Sequence, residues 1–164
     1  IGLCLVGSEM CIRDRYEILD KIKDKLRESP NIQTVSFGDI MEVDLNKTTM
    51  YPLAHIGMGG VGFQEHTLQL SINLLLLDIV DDNRDPDTED DFYGNSNLQD
   101  ILNTLLAEAN ILVSDLRRGS SFTQLYQIDT QINARPFLDR FENQLAGWGM
   151  DLLITFPNND VSIC

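Results

Sequence analysis

Basic residues are scarce in this sequence, which has 12 lysines and arginines against 26 aspartates and glutamates among its 164 residues. The formal net charge at pH 7 is −14. Contacts to phosphate groups need clustered lysines and arginines, so this balance argues against nucleic acid or an anionic membrane as a binding partner. Long apolar runs are also missing. The tetraleucine at 74–77 is far shorter than the roughly 18 residues of a membrane-spanning helix, so no membrane partner is expected.

Recognisable catalytic motifs are missing as well: there is no G-x-S-x-G, H-E-x-x-H or phosphate-loop pattern. The two histidines, His55 and His66, have no cysteine or clear third ligand, which makes a poor zinc site. Cys164 has no recognisable partner for nucleophilic chemistry. We therefore expect no catalytic, cofactor-binding or metal-ligating residues, and a protein that is not an enzyme. The alternative is a metal-dependent enzyme with a cleft near the two histidines and the acidic segment 81–96.

The beginning of the chain has an unusual composition. Residues 9–14, EMCIRD, back-translate as GAG-ATG-TGT-ATA-AGA-GAC. With LVGS just upstream, this DNA resembles the transposon mosaic-end adaptor used in sequencing-library preparation. We interpret residues 1–15 as translated adaptor in a gene fragment from an environmental assembly, and expect one native domain in 16–164 that has lost its start before Tyr16. A signal peptide is the alternative, but the segment lacks a basic n-region and its charges come too soon. Without residues 1–15 only Cys164 remains, so no intrachain disulfide is expected.

The clearest helical pattern covers residues 97–118, where apolar residues recur at spacings of three and four. These residues are Leu98, Ile101, Leu102, Leu105, Ala109, Leu112, Val113 and Leu116. Arg117 and Arg118 in the last turn, followed by Gly119, are typical of a helix C-terminus. Such a helix is about 30 Å long, enough to cover one face of a small sheet.

The rest of the chain reads as a short helix over 16–28 followed by strands. Strands are predicted at 32–37, 50–58, 64–80, 125–132 and 146–156, with 134–144 as a connection that contains Pro136. The order helix, three strands, helix, two strands predicts an α+β fold. We expect a mostly antiparallel sheet of about five strands, covered by the one long helix and the short N-terminal helix.

The run Gly57–Gly62 matches G-x-G-x-x-G and follows a predicted strand. A dinucleotide site also needs a helix that starts at the third glycine, whereas the residues after Gly62 continue with the period of two of a strand. We interpret the run as a flexible hairpin tip between the second and third strands, and such a hairpin could reach a neighbouring subunit.

The segment 81–96 is strongly acidic, with seven acidic residues against Arg84 alone. Its oxygen-bearing residues recur with the spacing of an EF-hand calcium loop, at Asp81, Asn83, Asp85, Asp87 and Glu89. However, the position that requires glycine holds Pro86, and the position that requires a bidentate acid holds Phe92. We expect a solvated loop without a metal.

Two regions are candidates for contact between subunits. The third strand turns apolar on both faces near its end, at Leu75, Leu77 and Ile79, so another element or another subunit should cover it. The stretch ARPFLDR before the last strand mixes charged and apolar residues, and arginine and aromatic residues are enriched at interfaces. We predict an oligomer interface that includes Leu75, Leu77, Ile79, Arg135, Phe137 and Arg140. For the second region, a surface loop with screened ion pairs is an equal alternative.

The order of these elements resembles a known family. A helix leads into DLNKTTMYPLAHI, then the strand LQLSINLLLLDIVD, an acidic loop, the helix NLQDILNTLLAEANILVSDLRRG and a closing DRFENQLAGWGMDLLITFPN. Over residues 16–160 this layout is similar to the tail-completion or tail-terminator proteins of long-tailed bacteriophages. The most specific pieces are YPLAHI, the acidic exit from the long strand, and FEN-x-LAGW.

The resemblance implies a virion structural protein of the tail or neck, assembled in the host cytoplasm. Family members have an α+β fold and form a homo-oligomeric ring, hexameric by this resemblance, which caps the tail tube and joins it to the head-side connector. The implied partners are further copies of the chain, the tail-tube protein and connector proteins. A negative lumen would let DNA slide through without binding. Another head–tail connector or neck protein of similar fold is the alternative.

Overall fold

The computed structural model of this chain describes residues 5–39, 50–81, 97–118, 126–140 and 144–157. Two helices and six strands lie in these ranges. In chain order they are α1 (Leu5–Glu28), β1 (Thr34–Phe37), β2 (Leu53–Phe63), β3 (Thr67–Ile79), α2 (Leu98–Arg118), β4 (Gln127–Ile128), β5 (Ala134–Arg140) and β6 (Leu145–Pro157). The predicted α+β class is confirmed.

The six strands form one sheet with β3 at its centre. Strands β2 and β6 flank β3, and both run antiparallel to it. Strand β1 lies outside β2 and runs parallel to it. On the far side, β5 pairs with the first half of β6 and β4 pairs near its end, both antiparallel. The sheet is therefore mostly antiparallel, as predicted, with one parallel strand at its edge.

One face of the sheet carries both helices and the main core. Alternate residues of β3, from Leu68 to Leu76, are buried on this face, as the period of two in the sequence predicts. Helix α1 adds Ile18, Ile22 and Leu26 to the same core. Helix α2 adds Ile101, Leu105, Ala109, Leu112 and Leu116. The side chains of both helices thus meet those of the strands in one continuous apolar layer.

The prediction of one long helix and one short helix is not confirmed. Helix α2 begins and ends within a residue of its predicted bounds, but α1 has 24 residues against 21 for α2. Helix α1 begins at Leu5, inside the stretch interpreted as adaptor, so the helix predicted at 16–28 is only the second part of α1. That residues 1–15 derive from an adaptor, and that 16–164 is a single domain, stay predictions.

The prediction that the glycine run is a hairpin tip is wrong, because β2 continues through the run to Phe63. The turn between β2 and β3 lies at residues 64–66. Gly59 and Gly60 both face Ser71, since the pairing shifts between Met58 and Val61. A Cβ atom on Gly59 would lie 2.8 Å from the Ser71 hydroxyl oxygen, so the glycine permits a bulge inside the strand. The residues after Gly62 lead through the turn into β3, a strand, as their period of two predicted.

The predicted connection after Ile132 contains a strand instead. Strand β5 covers Ala134–Arg140, while the strand predicted at 125–132 is reduced to the two residues of β4. Pro136 had argued against a strand because it cannot donate a backbone hydrogen bond. Strand β5 pairs only with β6 in the described part of the chain, and proline is tolerated on such an edge strand.

Two further expectations concern the acidic segment 81–96 and membrane-spanning helices. Of the acidic segment, Asp81 alone is described, so the rejected calcium loop lies outside the described residues. Neither α1 nor α2 is long and apolar enough to cross a membrane.

Candidate functional site

His55 is a buried residue that connects β1 to β2, with 3% of its surface exposed. Its Nε2 atom lies 3.2 Å from the carbonyl oxygen of Gly38, which can only accept a hydrogen bond, so Nε2 carries a proton. Its Nδ1 atom lies 2.8 Å from the Ser36 hydroxyl, which donates to the neutral ring. Burial lowers the pKa of His55, while the contact with Gly38 and the charge of Asp39 act in the opposite direction. The imidazole is thus a neutral structural link.

His66 lies far from His55, in the turn between β2 and β3, and 87% of its side chain is exposed. His55 pairs with Leu75, whereas Phe63 beside the turn pairs with Leu68. Eight positions along a strand correspond to about 25 Å. The structure therefore does not bring the two histidines together. Within the described ranges, no group of three or more histidine, cysteine, aspartate and glutamate side chains could hold a metal ion. That the chain is not an enzyme stays a prediction.

Polar side chains connect the two helices where they meet. The amide nitrogen of Asn31, just after α1, donates a hydrogen bond of 2.6 Å to the buried carboxylate of Glu108 in α2. Lys25 of α1 lies 3.8 Å from Asp115 of α2. A hydrogen bond to Glu28 raises the pKa of Lys25, and the charge of Asp115 raises it further. These contacts hold the helices together and give the Glu108 carboxylate a partner away from water.

The six residues predicted to form an oligomer interface are placed differently from one another. Leu77 is fully buried within the chain and packs in a small cluster with Leu53, on the sheet face opposite the helices. Phe137 and Leu75 are half-buried against the same cluster. Thus another part of the chain covers much of this apolar end of β3, and Leu77 has no exposed surface to offer a second copy.

The other predicted interface residues are more accessible. Ile79 and Arg135 are exposed, on β3 and β5, two strands that are separated by β6 in the sheet. The side chain of Arg140 lies outside the described residues. The interface role of all six residues stays a prediction.

A groove of about 330 Å³ lies between α2 and the segment that links β4 to β5. Leu106 and Val113 line it from the helix, and Ile132 and Met150 line it from the sheet side. Arg117 bridges one end, because its guanidinium donates hydrogen bonds to the carbonyl oxygens of Asp129 and Thr130, at 3.1 and 2.8 Å. The arginine therefore positions the linking segment against α2.

An exposed apolar surface of four side chains lies at the β1–β2 side of the sheet. We call its four side chains, Phe37, Met58, Val61 and Phe63, the edge patch. Their exposed fractions are 60%, 47%, 43% and 78%. Directly paired residues project on the same face of a sheet, and the pairing partners of these four are buried core residues. The edge patch therefore lies on the helix-bearing face, beyond the area that the helices cover.

The edge patch continues into a second groove of about 360 Å³ between α1 and β1. Leu19, Val35, Phe37 and Ile56 supply its apolar lining. Lys23 and Arg27 of α1, together with Asp20, add charges to the lining. An apolar surface bordered by charged residues is typical of a protein–protein contact site rather than of a catalytic pocket.

The edge patch was not predicted, although the sequence contains a signal for it. Strand β3 was predicted long enough to need a partner as far as residue 63, and Met58, Val61 and Phe63 are the apolar residues of that partner.

Compared with known proteins, the chain matches no family model and no curated protein sequence.

Proposed function

We propose that this chain is a structural protein of a bacteriophage virion, a tail-terminator or tail-completion protein. In this role it forms a ring on the end of the tail tube and joins the tube to the head-side connector. The layout of residues 16–160 resembles that family, and the α+β fold with a mostly antiparallel sheet is compatible with it.

The observation that carries the proposal is the edge patch. Its four large apolar side chains are on one face at one side of the sheet, and three of them lie on a single strand. Contiguous exposed apolar surface on a folded domain marks a site of association. A protein whose work is to hold copies of itself and adjoining parts of a particle needs such a surface.

The charge of the chain supports the same role. A net charge of −14 repels the phosphate backbone, so a ring of such chains would present a surface along which DNA can pass without binding. In the ring we propose, contacts between copies must overcome this repulsion, so they should combine apolar burial with local pairing of opposite charges.

The test is to add the purified full chain to polymerising tail-tube protein from the same virus. We expect rings of the chain, six-fold by family resemblance, bound at tube ends in electron micrographs, and shorter tubes than tube protein forms alone. A chain that forms no ring and leaves tube length unchanged would contradict the proposal. Binding to the connector without binding to tube ends would assign the chain to another position in the neck.

A further inference from the structure

The outer edge of β2 is open along most of its length in the described part of the chain. Strand β1 pairs only with Leu53–Ile56, at the beginning of β2. The next seven residues, Gly57–Phe63, have no described strand on their outer side. The backbone groups of an open strand edge can pair with a strand from another chain, and here the edge patch lies beside them.

Within the described ranges, the opposite side of the sheet has an open edge of the same length. Strand β5, Ala134–Arg140, also has seven residues, and its only described partner is β6. Arg135 and Leu138 are exposed on this strand. Half of the surface of Leu138 is accessible, which makes it an apolar counterpart for the edge patch.

The strand directions of the two edges are compatible with pairing between two copies. Strands β2 and β6 both run antiparallel to β3, so they are parallel to each other. Strand β5 runs antiparallel to β6 and therefore also to β2. If a second copy lies beside the first with its helices on the same face, its β5 is antiparallel to β2. The sheet would then continue from one copy to the next.

Charge favours this pairing over the pairing of two β2 edges. In a chain of net charge −14, β5 is locally positive, with Arg135 and Arg140 against Asp139. The open edge of β2 is flanked by Asp39, after β1, and by Glu65 in the turn. Two β2 edges would bring like charges together, whereas the net charge of the β5 sequence is opposite in sign to that of these acidic residues.

From these observations we propose that the chain assembles head to tail, with β5 of one copy added to the open edge of β2 in the next. The contact buries the edge patch against the region of Leu138. A head-to-tail contact of this kind gives a ring if the rotation between copies closes, and a filament if it does not. The identification of the product as a closed ring rests on the proposed function; the contact itself does not.

The test uses one charged substitution on each edge of the full chain. Val61→Asp places a carboxylate on the β2 edge, and Leu138→Asp places one on β5. Ile111→Asp is the matched control, because Ile111 is as exposed as Leu138 but lies on α2. Sedimentation velocity should give an oligomer for the unmodified chain and for Ile111→Asp, and 18.5 kDa monomers for the two edge variants.

An equimolar mixture of the two edge variants adds a sharper criterion. Each variant retains the edge that the other has lost, so one contact of the proposed kind can form per pair. We expect a species of twice the monomer mass and nothing larger. The proposal is overturned if either edge variant keeps the mass of the unmodified oligomer, if the mixture stays monomeric, or if the unmodified chain is itself monomeric.

Cross-linking provides a second measurement that does not depend on the folding of the charged variants. Val61→Cys and Leu138→Cys, combined in a chain in which Cys4, Cys11 and Cys164 are replaced by serine, should give a ladder of covalent oligomers with a short bis-maleimide. Either cysteine alone should give no species beyond a dimer, and the absence of the ladder contradicts the pairing.

If the edges pair as expected but tail tubes remain uncapped, the proposed function fails while the contact stands. If tubes are capped and the edge variants stay oligomeric, the contact fails while the function stands.

Discussion

Trp148 donates a hydrogen bond of 2.8 Å from its indole nitrogen to the carbonyl oxygen of Leu102. The bond joins β6 to the second turn of α2, and Trp148 is the single tryptophan of the sequence. An indole N–H that is partly removed from water needs such a partner. The pair therefore fixes how α2 lies across the sheet.

Replacement of Trp148 by phenylalanine should separate this hydrogen bond from the packing of the ring. We expect a loss of about 1 kcal/mol in the free energy of unfolding for Trp148→Phe, from the net value of one hydrogen bond. Trp148→Ala also loses the packing and should cost about 3 kcal/mol. Urea unfolding followed by circular dichroism measures both. Equal stability of the phenylalanine variant and the unmodified chain would show that the bond contributes nothing.

Gly147 lies too close to the backbone of β3 to carry a side chain. A Cβ atom there would overlap the carbonyl oxygen of Leu76 and lie 3.2 Å from the Cα atom of Leu77. Because these are backbone atoms inside a paired sheet, they cannot move away at low cost. Gly147→Ala should therefore destabilise the fold by about 2 kcal/mol or more.

Gly60→Ala is the matched control, because a Cβ atom at this position meets nothing within 4 Å. Loss of glycine flexibility in the unfolded chain should make this change neutral or stabilising by about 0.5 kcal/mol. The comparison is made by the urea midpoints of the two variants. Similar destabilisation in both variants would mean that the close approach of Gly147 to Leu76 is not the cause of the loss of stability.

The burial of His55 predicts a pH dependence of stability. Its folded-state pKa lies below the ordinary 6.5, so the unfolded chain binds the proton more tightly. The stabilisation that comes from burying the neutral His55 ring is therefore fully present above pH 6.5. It is lost as the pH falls toward the folded-state pKa. His55→Gln should remove this part of the pH dependence.

The measurement is the free energy of unfolding of both proteins between pH 8 and pH 5. The difference between them removes the common contribution of carboxylates, including Asp78, whose pKa is raised by burial. His66→Gln, in the exposed turn, is the control and should follow the unmodified chain. A difference between His55→Gln and the unmodified chain that does not change with pH would contradict a buried neutral imidazole.

The elements that the sequence predicts well are those whose patterns are local. Helix α2 carries its own apolar stripe and its own terminal signals, and β3 alternates from Leu68 to Leu74. The final strand, from Leu145 to Pro157, alternates in the same way and lies where it was predicted. In each case the buried residues recur along the segment with the period of a helix or a strand, so the segment alone indicates its structure.

The features that were missed depend on contacts between distant segments. The continuation of β2 past Gly57 depends on the bulge opposite Ser71, and the glycines that allow it look like a turn in sequence. Strand β5 is concealed by Pro136, whose missing donor matters only in a strand that is paired on both sides. The edge patch depends on where the helices end above the sheet, and no local pattern contains that information.

Arg117 provides a last prediction, about the segment between β4 and β5. Its two hydrogen bonds to the Asp129 and Thr130 carbonyl oxygens are charge-assisted, but they lie near the surface, so together they should contribute about 1 kcal/mol. Arg117→Gln should lower the free energy of unfolding by that amount and speed hydrogen exchange at residues 129–133. Arg118→Gln is the matched control, because Arg118 is the exposed neighbour of Arg117 and its substitution removes the same charge. If both variants exchange alike, the charge at the end of α2, and not the bridge to the linking segment, accounts for the effect.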